Sequence, residues 1–183
     1  MNERYTIQID SREKYPVLFP YHVHLPIPGS HKFRTVSIET ERVALPGGDY
    51  RLKEYPALGG IERKGSIWEL VKNLTNRKDM VRQAKAFTKL TKEFKFPYLY
   101  VETSLADLTG PNAIENWEIV LGRLAQVIVK YNLRLLWMPA NRMSPAKRRQ
   151  IGTFFLQILL AHALETEYNS CTRLEYLAIT SGS

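Results

Sequence analysis

Apolar and polar side chains alternate over residues 5–9 (Tyr-Thr-Ile-Gln-Ile), the period-two pattern of a half-buried strand. The run stops at a polar block, Asp10-Ser11-Arg12-Glu13. Residues 15–29 carry Pro16, Pro20, Pro26 and Pro28 and read as loop. Phe33, Val36 and Ile38, with Thr35, Thr40 and Val43, predict a second strand over residues 32–43. Pro46-Gly47-Gly48 forces a turn; residues 49–52 then begin a third strand and residues 61–64 form a fourth. Ser66 followed three residues later by Glu69 is a capping box, and Ile67, Leu70, Val71 and Leu74 supply the apolar face of a short helix. A longer helix follows over residues 76–94, with Met80 or Val81, Ala84, Phe87, Leu90 and Phe94 on its apolar side. Residues 97–103 form a fifth strand and 111–131 a helix. Residues 133–138 are nearly all apolar, as a central strand covered on both faces would be. Ser144 and Pro145 open a last helix running to about residue 167. From Ile151 to Ala163 that helix is apolar around most of its circumference, which predicts deep burial or a subunit interface. Residues 173–179 read as a short strand or a frayed end.

The order is strand, a three-stranded meander, two helices, strand, helix, strand, helix. It predicts an α/β domain with a central mixed β-sheet and helices on both faces. No repeat, low-complexity tract or linker divides residues 1–183, so one domain is expected, its core over about 4–140 and its C-terminal helix over about 145–167.

Charge narrows the partners. Lys and Arg number 26 against 18 Asp and Glu, a formal charge of +8, which favours a polyanion such as nucleic acid. Cys171 stands alone, so no internal disulfide framework exists, and a reducing, intracellular setting is expected. No secretory signal opens the chain, and no apolar run reaches the ~20 residues of a membrane span, so no membrane partner is expected. His22, His24 and His31 invite a zinc reading, but no Cys or carboxylate lies nearby at ligand spacing; exposed loop histidines are the expectation.

The chemistry concentrates between Gly48 and Lys64. Glu62-Arg63-Lys64 on a strand puts the Glu62 carboxylate and the Lys64 ammonium on one side. A hairpin through the Pro/Gly-containing connection places Asp49 beside Glu62. Two carboxylates can hold Mg²⁺ or Mn²⁺ through oxygen, and a lysine can position water and offset the charge of a pentacovalent phosphate. Asp10 and Glu13 are either a turn and helix start or part of the same constellation. On the long helix, Lys78, Arg82, Lys85, Lys89 and Lys92 fall on one face, readable as a phosphate-backbone contact or as a solvated surface.

Taken together, Asp10-Ser11-Arg12-Glu13 after a first strand, Gly48-Asp49-Tyr50, and Ile61-Glu62-Arg63-Lys64 before a short helix resemble the nuclease domain of the XPF/MUS family of structure-specific endonucleases. The resemblance spans about residues 4–140, and Arg77 and Gln83 look like the Arg and Gln that follow the motif helix. It implies a restriction-endonuclease-like fold and Mg²⁺- or Mn²⁺-dependent cleavage of branched DNA such as flaps and forks, in repair or recombination. It implies Asp49 and Glu62 as metal ligands, with the Arg63 carbonyl available as a third, and Lys64 as the catalytic lysine. Asp10 would be a supporting or second-metal acid; Arg12, Glu13 and Arg63 would shape the site or touch phosphate. It also implies a homodimer through helices of this domain, for which the apolar last helix is the candidate. Two departures stand out. The family has three residues between Glu-Arg-Lys and an Asp-Leu pair; here there are four, and the pair is Glu69-Leu70, so Glu69 reads as a helix cap. The tandem helix-hairpin-helix domain of the family has no counterpart in residues 140–183, so a stand-alone version is expected. The alternatives are a non-catalytic DNA-binding partner subunit and a nuclease acting on RNA.

Overall fold

The computed structural model describes residues 4–27, 31–109, 115–139 and 144–180, with only the backbone described for 105 and 169–180. Seven strands form one sheet: β1 (Arg4–Asp10), β2 (His22–Pro26), β3 (Phe33–Val43), β4 (Tyr50–Leu52), β5 (Gly59–Lys64), β6 (Phe96–Val101) and β7 (Arg134–Trp137). The helices are α1 (Ile67–Thr75), α2 (Arg77–Glu93), α3 (Leu105–Thr109), α4 (Trp117–Tyr131) and α5 (Pro145–Thr180). The sheet is mixed, in the order β2-β3-β1-β4-β5-β6-β7, with β1–β3, β5–β6 and β6–β7 parallel and the other pairs antiparallel.

The predicted meander is corrected: β1 lies between β3 and β4. The chain leaves β3, crosses the C-terminal end of β1 and returns as β4. Ser11 N–H donates to the Val43 carbonyl at 2.8 Å and Asp10 N–H to the Asp49 carbonyl at 2.8 Å, tying the crossing to β1. Gly48 makes the crossing possible. Its φ is +70°, and a Cβ there would stand 3.0 Å from Leu90 Cδ1. β1 looked half-polar because of Gln8, yet Gln8 is buried, hydrogen-bonded to Glu41 on β3 at 3.2 Å and to Arg51 on β4 at 2.8 Å.

Two cores lie on opposite faces of the sheet. Tyr5, Ile7, Tyr50, Ile61 and Tyr100 pack against Phe155, Leu156, Leu159 and Leu160 of α5. Leu99 and Val101 pack against Leu70, Leu74, Phe87, Leu90 and Leu124 of α1, α2 and α4. Helices therefore cover both faces. The apolar excess of α5 is met by its own sheet: Ile151, Phe155, Leu156, Leu159, Leu160, Ala163 and Leu164 are buried within the chain, and Phe154 stays partly exposed.

Four further expectations change. The stretch read as loop contains β2, an edge strand whose inward Val23 and Leu25 are buried and whose His22 and His24 face solvent. The apolar run before Met138 forms the last strand, β7, rather than a central one; its two faces are covered but its outer edge has no strand partner among the described residues. Residues 173–179 continue α5 instead of forming a strand. Helix α4 starts at Trp117; residues 111–114 of the predicted helix lie outside the described residues, and the short α3 was not foreseen. Among the described residues no helix is long and apolar enough to cross a membrane.

Candidate active site

Strands β1, β5 and β6 run in one direction, and their C-terminal ends meet at a cavity of about 640 Å³. Open α/β sheets commonly place their sites at such ends. Asp49, Glu62, Lys64 and Glu69 line it, together with Arg12, Glu13, Arg63 and Glu102.

Antiparallel pairing of Tyr50 with Ile61 brings the preceding Asp49 against Glu62 and Arg63. Asp49 N–H donates to the Ile61 carbonyl at 2.7 Å, and Arg63 N–H donates to Asp49 Oδ2 at 2.7 Å. Burial pushes the Asp49 carboxyl up, and the neighbouring Glu62 and Glu13 charges add to it, to about 8. Two residues along β5 from Glu62, Lys64 is only 5% exposed, and its ammonium donates to Glu62 Oε1 at 2.7 Å. Burial alone would lower the Lys64 pKa; the Glu62, Glu69 and Asp49 charges outweigh it and hold it above the usual lysine range. The buried Gln83 of α2 donates to the same Glu62 oxygen at 3.5 Å. Asp49 Oδ1 and Glu62 Oε2 receive no hydrogen bond from the described residues.

Glu69 has two roles. Its N–H donates to Ser66 Oγ at 3.1 Å, capping α1 as read from the sequence, and its Oε2 accepts from Gly65 N–H at 3.1 Å. Its other oxygen stands 3.6 Å from Lys64 Nζ, so the cap acid also faces the cavity.

Asp10 with Arg12, and Glu13 and Glu102 with Arg63, are paired among themselves. Asp10 is 1% exposed and does not line the cavity. Its carboxylate accepts from Arg12 N at 2.7 Å, Arg12 Nε at 2.9 Å and Arg12 Nη2 at 2.5 Å. Burial pushes the Asp10 carboxyl up, but these bonds and the Arg12 charge more than offset it and leave it below the usual range. Arg63 is held between Glu13 at 3.2 Å and Glu102, whose Oε2 accepts from Arg63 Nε at 2.7 Å. Sequence reasoning missed Glu102; its only signal was an acid directly after an apolar strand, and β6 beside β5 brings it to Arg63.

The structure does not bring the basic row to the cavity. Arg77, Lys78, Arg82, Lys85 and Lys89 are exposed along α2, and Arg82 is paired with Asp79 at 2.9 Å. Lys14, Tyr15 and Arg148, which the sequence did not single out, do line it.

No family model and no curated protein sequence matches the chain. Solved structures do. XPF from Aeropyrum pernix superposes with a TM-score of 0.53 at 19% identity, covering 95% of this chain and 71% of that one. The fold is XPF-like. A second structure, XPF from Aeropyrum pernix in complex with DNA, gives a TM-score of 0.53 at 19% identity and covers 90% of this chain and 66% of its own. The XPF-like fold is the restriction-endonuclease-like α/β arrangement expected from the charged blocks, with Asp49, Glu62 and Lys64 at one cavity.

Proposed function

We propose that this chain is a divalent-metal-dependent endonuclease that hydrolyses phosphodiester bonds in DNA. The observation that carries the reading is the junction of Asp49, Glu62 and Lys64 at one cavity, with Lys64 bound to Glu62 at 2.7 Å. The donor set fits Mg²⁺ or Mn²⁺. Asp49 and Glu62 each offer a hard oxygen that no described residue occupies, and the Asp49 pKa is raised by burial first and by the Glu62 charge second, both of which a bound cation would offset. Among the described residues no group of three or more His, Cys, Asp or Glu side chains is placed to hold a metal, so the other ligands would be water, backbone or phosphate, as suits Mg²⁺. A metal bound there supplies charge neutralisation at the phosphate and a water of lowered pKa.

Lys64 works as a charged donor rather than a base, because its carboxylate neighbours hold its proton. It orients Glu62 and places positive charge where the pentacovalent phosphate develops negative charge. Asp10 acts by holding Arg12 at the rim; Glu13 and Glu102 hold Arg63 and so fix the backbone N–H that anchors Asp49.

Branched DNA is the proposed substrate, on the likeness of the charged blocks to the XPF/MUS pattern and on the XPF-like fold. Labelled single strand, duplex, flap, fork and four-way junction, each with Mg²⁺, Mn²⁺ or EDTA, test it. Cleavage is expected with either metal and not with EDTA, and Glu62→Ala or Lys64→Ala abolishes it while DNA binding persists. Cleavage surviving in both variants refutes the site. Binding without cleavage by the unaltered protein assigns the chain to the non-catalytic partner role. Homodimerisation would use what α5 leaves uncovered, and light scattering at micromolar concentration decides it.

A further inference from the structure

The segment that leads from β1 to β2 is unusually well anchored for a connection rich in proline. At its start, the Arg42 guanidinium donates to the Ser11 carbonyl at 3.2 Å and to the Glu13 carbonyl at 2.6 Å. Farther on, the Arg148 guanidinium of α5 donates to the Pro16 carbonyl, Val17 N–H donates to Tyr50 Oη at 3.1 Å, and Leu18 N–H donates to the Arg148 carbonyl at 3.3 Å. Val17 is buried in the core. At Gly152, α5 comes so near that a Cβ would lie 2.0 Å from the Leu18 carbonyl oxygen. Between these anchors stand Lys14 and Tyr15. Both line the cavity, and the Tyr15 backbone N–H is itself fixed, donating to Glu13 Oε1 at 2.9 Å. Tyr15 nevertheless remains 74% exposed.

A scattered surface tyrosine needs no explanation. This one sits on a fixed backbone, at the mouth of the cavity that holds Asp49 and Glu62, a cavity that Lys14 and Arg148 also line. A phosphate drawn to the cavity carries a base on its sugar, and an exposed ring at the rim offers that base a flat face. Bases within a duplex are already stacked on both sides, so the ring can serve only an unpaired one. The fixed backbone lowers the ordering cost of such a contact.

We propose that Tyr15 is a stacking platform for an unpaired nucleobase of a DNA strand whose phosphate lies in the cavity, with Lys14 touching the backbone beside it. The proposal rests on the nuclease reading above and gives the site a preference for single-stranded character next to the cut.

The test measures binding of a labelled single strand and of its duplex, in EDTA, and cleavage of the single strand and of a flap with Mg²⁺ or Mn²⁺. Tyr15→Ala is expected to weaken single-strand binding by about 5- to 100-fold, and Tyr15→Phe, which keeps the ring, by less than about twofold. Duplex binding is unchanged by either. An abasic position beside the cut site weakens binding to the unaltered protein by the same factor, and costs Tyr15→Ala nothing further. Tyr21→Ala alters a residue that is 80% exposed but outside the cavity, and leaves every reading as it was. If Tyr15→Ala binds and cuts the single strand as the unaltered protein does, or if the abasic penalty persists in that variant, the stacking role is refuted while the nuclease reading stands. If the unaltered protein neither binds nor cuts any DNA, both fall together.

Discussion

Replacing Asp49 by Asn should destroy the proposed activity and, without metal, stabilise the protein at alkaline pH. Asparagine keeps an oxygen to accept the 2.7 Å bond from Arg63 N–H, and removes the charge. Folding raises the Asp49 pKa from 3.8 to about 8, through burial first and then repulsion from Glu62. A raised acid favours the folded state while protonated. Its contribution is therefore fully present below about pH 4 and is lost as pH climbs through about 8. At ~1.4 kcal/mol per tenfold change in proton affinity, even half of that rise corresponds to about 3 kcal/mol. For a chain of this size that is about 6–12 °C in Tm. Thermal or urea unfolding of both proteins in EDTA, from pH 4 to pH 9, reads the difference directly, since groups common to the two cancel. The variant should match the unaltered protein near pH 4 and exceed it increasingly toward pH 8. Saturating Mg²⁺ or Mn²⁺ should close the gap by stabilising only the protein that keeps Asp49, by about 2.7 kcal/mol at 100 times the Kd. A difference that stays flat with pH, or a variant that is less stable at pH 8, would show that the Asp49 charge is not held against repulsion and would remove the basis for a cation there.

Two further outcomes separate roles that the geometry suggests. If Asp10 serves only to hold Arg12, Asp10→Ala frees that guanidinium to compete at Asp49 and Glu62, and the metal concentration for half-maximal cleavage rises roughly 10- to 100-fold. Asp10→Ala combined with Arg12→Ala then restores it, whereas an Asp10 that binds a second metal gives no restoration. On α2, Lys85→Glu with Lys89→Glu should lower the slope of log affinity against log salt by about 2 if both lysines touch phosphates; an unchanged slope assigns the row to solvent.

Much of the site was legible because it is local. Period two along β5 puts Glu62 and Lys64 on one side, Gly48 marks the sharp crossing before Asp49, and Ser66 with Glu69 caps α1, all within short stretches of chain. What escaped depends on partners distant in sequence. Gln8 looked like a solvent position until Glu41 and Arg51 were beside it, and this hid the central place of β1. His22 to Pro26 alternates as a strand should, but its flanking prolines outweighed five residues of pattern. Glu102 has no motif; the parallel register of β6 on β5 carries it to Arg63. Tyr15 became visible only when Arg148 and Gly152, over a hundred residues on, closed against its loop.

The arrangement of charge explains why a chain of +8 can keep an anionic site. A cation-rich protein tends to neutralise any pair of carboxylates with its own side chains. Here the nearest guanidinium groups are already engaged by acids that are not proposed ligands: Arg12 by Asp10, and Arg63 by Glu13 and Glu102. Lys64 is committed to Glu62 and stands near Glu69. Among the described residues Asp49 is left with a backbone N–H as its one hydrogen-bond donor, and burial first and the Glu62 charge second raise its proton affinity. The supporting acids thus occupy the arginines, and Asp49 and Glu62 each keep one oxygen that no described residue occupies, the pair on which the proposed metal site depends.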